Sequence, residues 1–372
     1  MTRFNSLLKR FSFIVIGLVM FLVACEQVID LEVEQRGGEI VISGRVSNSS
    51  EGNYVSVHRT APGGQEPEPI IDARVNVFDE SGNVFSLQYD DNGRYLLESG
   101  FRGVIGEAYR LEVTIRDEVF ETDWQTMPVQ VGRDTLSWQT NTFERITPDG
   151  VRIEENVVEV FGTTTFDNPP DEFYIRWDLE EAYTYVGTIL PQQNFPPSGG
   201  QIQCFVINDL NEQSIFLHNG TLNKAATIPN QLLVRRLVDE SFQAKHYFNL
   251  IKSNLTKEAY DYWDNLDNIV NVQGSIFDVA PAPVPGNVAS PSQRALGFFE
   301  VSSVDTTRTF LTNNDIPFFF FDPCRKVGQE RALLFSVPTG CKQCLIDEKI
   351  VPGYCIFCGL TPNNTGRRPS YF

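Results

Sequence analysis

The chain has 372 residues, of which 41% are hydrophobic and 12% aromatic, with 28 Phe and a formal charge of −18. Such a composition excludes general disorder and favours a folded, mainly β body with a sizeable core. The net acidity argues against nucleic acid and anionic lipid headgroups as direct partners, since both repel it.

The first element is an export signal, residues 1–24. Arg3, Lys9 and Arg10 form a basic head, Phe11 to Val23 an uncharged apolar segment, and Leu22-Val23-Ala24-Cys25 sets a small residue before a cysteine. This order reads as a bacterial lipoprotein signal cut before Cys25, whose thiol and new amino group then carry acyl chains. The apolar segment is too short to span a bilayer with its own flanks, so the acyl chains are the expected anchor. A plain secretory signal with a chance cysteine is the alternative. Removing 24 residues leaves 348, and the three basic residues lost with them take the charge to −21. That length favours two domains.

Residues 25–38 are polar and acidic and read as a lipidated tether. Residues 39–128 carry strand signals. Ala73, Val75 and Val77 alternate with Arg74 and Asn76, and Tyr109, Leu111, Val113 and Ile115 alternate with Arg110, Glu112 and Thr114. Each pattern places one face in a core and the other in water. Asp91-Asn92-Gly93, between Phe85-Leu87-Tyr89 and Tyr95-Leu96-Leu97, predicts a tight hairpin, because Asn-Gly accepts positive φ at both turn positions. The spacing of Asp90, Asp91 and Asn92 does not match a calcium loop. Short strands so closely spaced favour an antiparallel sandwich. Ser43-Gly44-Arg45-Val46, Asp72 to Val77 and Asp91 to Tyr95 resemble the transthyretin-like or carboxypeptidase-regulatory-like sandwich. Modules of that class are usually non-catalytic spacers or binding platforms.

Residues 129–321 read as a second β-rich domain. Phe173, Ile175, Trp177 and Leu179 alternate with Glu172, Tyr174, Arg176, Asp178 and Glu180, predicting a strand with its polar face in water. Gln192 to Gln201 is rich in Pro, Gly and Ser and predicts a loop. Phe248, Ile251, Leu255, Ala259, Trp263 and Leu266 recur every three or four residues, predicting a helical segment over 240–268, with Thr256 a candidate cap where it divides. Phe318, Phe319, Phe320 and Phe321 place aromatics on both faces of a strand, so they predict a buried central strand. Contact with a partner protein is the second reading.

The Tyr260-Asp261-Tyr262-Trp263 segment, Gly274 to Asp278, Pro281, Pro283, Pro285, Gly286-Asn287-Val288 and Leu296-Gly297-Phe298-Phe299 together resemble the domain-of-unknown-function family 4249 of Bacteroidota lipoproteins. The tail agrees, with Cys355-Ile356-Phe357-Cys358-Gly359, Asn363-Asn364 and terminal Tyr371-Phe372, although Thr361-Pro362 stands where a glycine pair is expected. The resemblance implies a lipoprotein encoded beside TonB-dependent receptors, partnering an outer-membrane β-barrel. Glu26 is compatible with outer-membrane sorting, and Glu26, Asp30, Glu32 and Glu34 faintly resemble acidic tracts of surface-exported lipoproteins. A surface-facing location is expected, with the periplasmic face as the alternative.

Six cysteines remain beyond Cys25, of which Cys324, Cys341, Cys344, Cys355 and Cys358 fall in the Cys-rich tail, residues 322–372, and Cys204 stands apart. An even number in an exported body predicts disulfides. Cys341, Cys344, Cys355 and Cys358 also form two Cys-x2-Cys pairs with the spacing of a zinc ribbon, which an oxidising compartment disfavours. No cofactor is expected. His58, His218 and His246 stand in separate contexts, and no nucleophile elbow or phosphate loop accompanies them, so an enzyme is not expected. The leading expectation is an accessory subunit of an outer-membrane barrel. The alternatives are a solute- or glycan-binding lipoprotein stacking ligand on Trp138, Trp177 or Trp263, and a scaffold subunit of envelope-assembly machinery.

Overall fold

The computed structural model describes residues 37–62, 65–186, 203–211, 215–270, 284–319, 343–346, 349–352, 361, 363–365 and 368–372. The chain is mainly β. Its first ten strands are β1 (Ile40–Ser47), β2 (Tyr54–Arg59), β3 (Glu68–Pro69), β4 (Arg74–Asp79), β5 (Val84–Ser86), β6 (Gln88–Tyr89), β7 (Arg94–Leu96), β8 (Ala108–Ile115), β9 (Glu118–Glu121) and β10 (Gln125–Thr126). The alternating residues of β4 and β8 face one way, as the sequence predicts. Val75, Val77, Leu111 and Val113 join Ile42, Val57 and Phe120 in one buried cluster.

The hairpin between β6 and β7 forms at Asp91-Asn92-Gly93, with φ of 45° at Asn92 and 74° at Gly93. Gly93 has a second reason to be glycine, since a Cβ there would lie 2.6 Å from the Val57 carbonyl oxygen. We expect Gly93→Ala to lower stability by about 1–3 kcal/mol through turn strain and this clash. Urea unfolding measures it, and an unchanged midpoint would show that the turn does not constrain the sheet.

The long hairpin of β11 (Arg133–Ile146) and β12 (Arg152–Thr165) opens the second unit. It continues through β13 (Tyr174–Val186), β14 (Gln203–Asp209), β15 (Phe216–Asn219) and β16 (Thr227–Leu237). A short 3-10 turn (Glu240–Gln243) leads into β17 (His246–Leu255) and the helix α1 (Lys257–Val270). Strands β11, β12 and β16 form one sheet. It shares a core with β13 and β17 through Val158, Val160, Ile175, Trp177, Leu179, Phe248 and Leu250.

The helical prediction over 240–268 is corrected. Only its second half is α-helical, and Thr256 does cap it, accepting from the Ala259 amide at 3.2 Å. Phe248 and Ile251 lie on a strand instead. Strand β17 is flanked by β13 on one side and by a later strand on the other, and it is buried along nearly its whole length. A strand covered on both faces loses the alternation that would reveal it, so its apolar residues can mimic a helical period.

The chain then returns to the first unit. Strands β18 (Pro285–Ala289) and β19 (Arg294–Leu296) join it, with β19 parallel to β1. Strand β20 (Phe299–Leu311) serves both units: Phe299 to Ser302 pair in parallel with β1, and Ser303 to Leu311 pair antiparallel with β17. Phe299 and Val301 therefore enter the first core and Leu311 the second. The first unit is a curled sheet completed by residues far along the chain, and its β1 edge is parallel where antiparallel pairing was expected. The tail adds the pair β21 (Gln343–Ile346) and β22 (Lys349–Pro352), then β23 (Asn364–Thr365) on the edge of β14. Among the described residues no helix is long and apolar enough to cross a membrane.

Phe318 and Phe319 do not form the predicted buried strand. Phe318 packs partly against the second core, whereas Phe319 is 87% exposed, and Phe320 and Phe321 lie outside the described residues.

Candidate functional site

Strand β13 decides where the site lies. Ile175, Trp177 and Leu179 point into the second core. The pleat then sends Arg176, Asp178 and Glu180 to the opposite face. That face is not open water. Across it, β20 brings Glu300 beside Arg45 of β1 in parallel register, and α1 lays Trp263 over the Arg176 guanidinium at 4.1 Å. The result is a polar cleft of about 490 Å³ at the junction of the two units. Arg45, Gly52, Tyr54 and Arg94 line it from the first unit, Asp178, Glu180 and Asp209 from the second, with Tyr262, Trp263 and Phe298 beside them.

Its floor is a buried ion pair. Arg176 Nη1 donates to Glu300 Oε2 at 2.7 Å, and its Nη2 reaches Asp178 Oδ2 at 3.0 Å. Trp263 Nε1 donates to the same Glu300 oxygen at 2.9 Å, and Ser302 Oγ donates to Oε1 at 2.7 Å. The side chains of Arg176 and Glu300 are only 7% and 4% exposed. Burial alone pushes the Glu300 carboxyl up, yet the charges of Arg176 and Arg45 outweigh it and hold it below its ordinary value. Glu180 behaves oppositely. Burial, followed by the neighbouring carboxylates Asp209 and Asp178, raises its carboxyl.

Two further buried clusters lock the sheets to each other. On the core side of β13, Glu181 accepts from Arg236 Nε of β16 at 2.6 Å and lies 3.0 Å from His246 Nε2. The His246 ring is stacked between Phe242 at 4.0 Å and Tyr183 at 5.3 Å. Arg236 also donates to Asp239, the cap of the 3-10 turn. The second cluster joins β17 to β11, with the Lys252 ammonium 3.1 Å from Asp134 Oδ2 and bonded to the Gly132 carbonyl. Trp177 and Thr164 both donate to Asp134 Oδ1.

Of the tryptophans expected to stack a ligand, only Trp263 reaches the cleft. Trp177 is buried in the second core, and Trp138 packs partly against it. Cys204 is buried on β14. Cys344 lies on β21, while Cys25, Cys324, Cys341, Cys355 and Cys358 lie outside the described residues, as do the 192–201 loop and the tether through residue 36. Among the described residues no group of three His, Cys, Asp or Glu side chains could hold a metal. His58 bonds Ser56, His218 stacks on Phe166, and His246 is enclosed as above. The cleft residues Arg45, Glu180 and Glu300 were missed by sequence reasoning. The available signal was the Arg-x-Asp-x-Glu face of β13, which alternation alone assigns to solvent.

The fold and cleft define a mainly β protein of two joined units with a polar, aromatic-edged recess at their junction. Comparison with known families matches residues 26–308 to one described as Domain of unknown function (DUF4249), and the chain belongs to that family. Neither a curated protein nor a solved structure matches it.

Proposed function

We propose that this protein is a non-enzymatic, lipid-anchored binding subunit of the outer membrane that serves a β-barrel receptor, of the TonB-dependent kind or similar. The observation that carries a binding role is the junction cleft, since burying Arg176 and Glu300 there costs solvation that an apolar pair would avoid. Such a charged floor fixes polar groups in place before a ligand arrives, which reduces the ordering cost of binding. The anchoring part of the reading rests on Cys25 at the end of its signal, and the barrel partner on the family resemblance.

The test is purification of the intact lipidated protein from detergent-solubilised outer membranes. We expect a stoichiometric β-barrel to accompany it and Cys25→Ser to abolish membrane retention. Recovery of a monomer without a barrel would overturn the accessory role and favour a solute-binding lipoprotein acting alone.

An exported location also favours disulfides for the six remaining cysteines over zinc at Cys341, Cys344, Cys355 and Cys358. Support comes from the tail, which returns beside Cys204: Phe205 pairs with Thr365, and the Ile207 amide donates to Asn363. We expect the unreduced protein to yield a peptide joining Cys204 to a tail cysteine, and Cys204→Ala to lose about 2–4 kcal/mol of stability. Six alkylatable thiols with bound zinc in a mass spectrum would refute the bridge.

A further inference from the structure

The charges of the cleft are divided by the unit that supplies them. Arg176, Glu300 and Asp178 satisfy one another in the floor. The remaining charges line the recess, and the Arg45 charge acts on both Glu300 and Glu180. From the first unit come Arg45, whose Nε is buried without a hydrogen-bond partner, and Arg94, held over the Tyr54 ring at 4.5 Å. From the second come Glu180 and Asp209, directly opposite each other on β13 and β14.

This division discriminates among ligands. A simple anion would complement Arg45 and Arg94 but meet repulsion from the two carboxylates, and a simple cation would meet the reverse. A neutral sugar would leave both sets of charges partly desolvated and unpaired, which weakens binding. A molecule with a carboxylate at one end and an ammonium at the other satisfies both walls. A recess of about 490 Å³ falls in the range of small-molecule sites. Ile251, Tyr262 and Phe298, which also line it, offer apolar contact for the part between the ends.

We propose that the cleft binds a short peptide with free termini, its carboxylate toward Arg45 and Arg94 and its ammonium toward Glu180 and Asp209. This assignment rests on the reading of the cleft as the recognition site. An ammonium beside Glu180 would add to the lowering influence of Arg45 and Arg308 and offset the burial and like-charge neighbours that raise its carboxyl.

The test is isothermal titration of the full-length protein in detergent with trialanine, N-acetyl-trialanine, trialanine amide and maltose. We expect trialanine to bind, with each blocked peptide weaker by about tenfold or more, since each leaves the charges of one wall without a partner. We expect Arg45→Met to erase the preference for a free carboxylate while keeping that for a free amine, and Glu180→Gln to do the converse. The blocked peptides test the wild-type protein itself, so the answer does not depend on a variant folding. Equal binding of blocked and free peptides, or no binding of trialanine, would overturn the assignment. Binding of maltose alone would overturn it as well, yet would leave the cleft a recognition site. The accessory role stands or falls separately, on the barrel that accompanies the purified lipoprotein.

Discussion

Replacing Arg176 with Met is expected to destabilise the fold by about 3–5 kcal/mol, the range for removing one partner of a buried ion pair. The reason lies in what stays behind. Glu300 would keep its bonds from Trp263 and Ser302 but lose its nearest cation, in a position 4% exposed. Trp263 would also lose the guanidinium stacked on it at 4.1 Å. Because Arg176 belongs to the second unit and Glu300 to the strand shared with the first, the loss loosens the junction itself. Urea unfolding at neutral pH measures the effect. The double variant Arg176→Met, Glu300→Leu is expected to recover part of the stability, since neither charge is then stranded. Additive losses would show that the two residues do not act as a pair.

The second large effect is on acid stability and centres on Glu181. Burial pushes its carboxyl up, but His246 and Arg236 outweigh that and hold it at about 2, against an ordinary value of 4.5. A carboxyl depressed in the folded state stabilises that state in full above its unfolded value, and the contribution disappears as pH falls through the folded one. The window is therefore between roughly pH 5 and 2, and the stake is on the order of 3 kcal/mol. Wild-type protein should lose about that much more stability than Glu181→Gln when both are unfolded in urea at pH 5 and at pH 2. Parallel pH profiles would show that the carboxylate does not hold β13 to β16.

Both predictions concern residues whose positions the sequence could only half disclose. Alternation identifies β13 as a strand and separates Ile175, Trp177 and Leu179 from Arg176, Asp178 and Glu180. It does not reveal that the polar face meets other protein, because a charge buried in a pair and a charge in water occupy the same place in the pattern. Glu181 is harder still to read, since it lies on the apolar face and depends on Arg236 from another sheet. The four phenylalanines show the opposite failure. Their apolar run predicts burial, yet Phe319 is 87% exposed, so hydrophobicity alone did not decide which residues were covered.

By itself the sequence determined the features whose causes span a few residues. These are the apolar faces of β4, β8 and β13, the turn at Asn92-Gly93 where positive φ is required, the Thr256 cap of α1, and the motifs that mark the family. Only the tertiary structure decided that residues 246–255 form a central strand, that β18 to β20 return to complete the first unit, and that Arg176 meets Glu300 from 124 residues away. The physical reason is range. Steric and capping preferences act within one or two turns of chain and leave a local pattern. Ion pairing and the sharing of a strand between two sheets act through space, and a polar residue carries no mark of the partner it will meet.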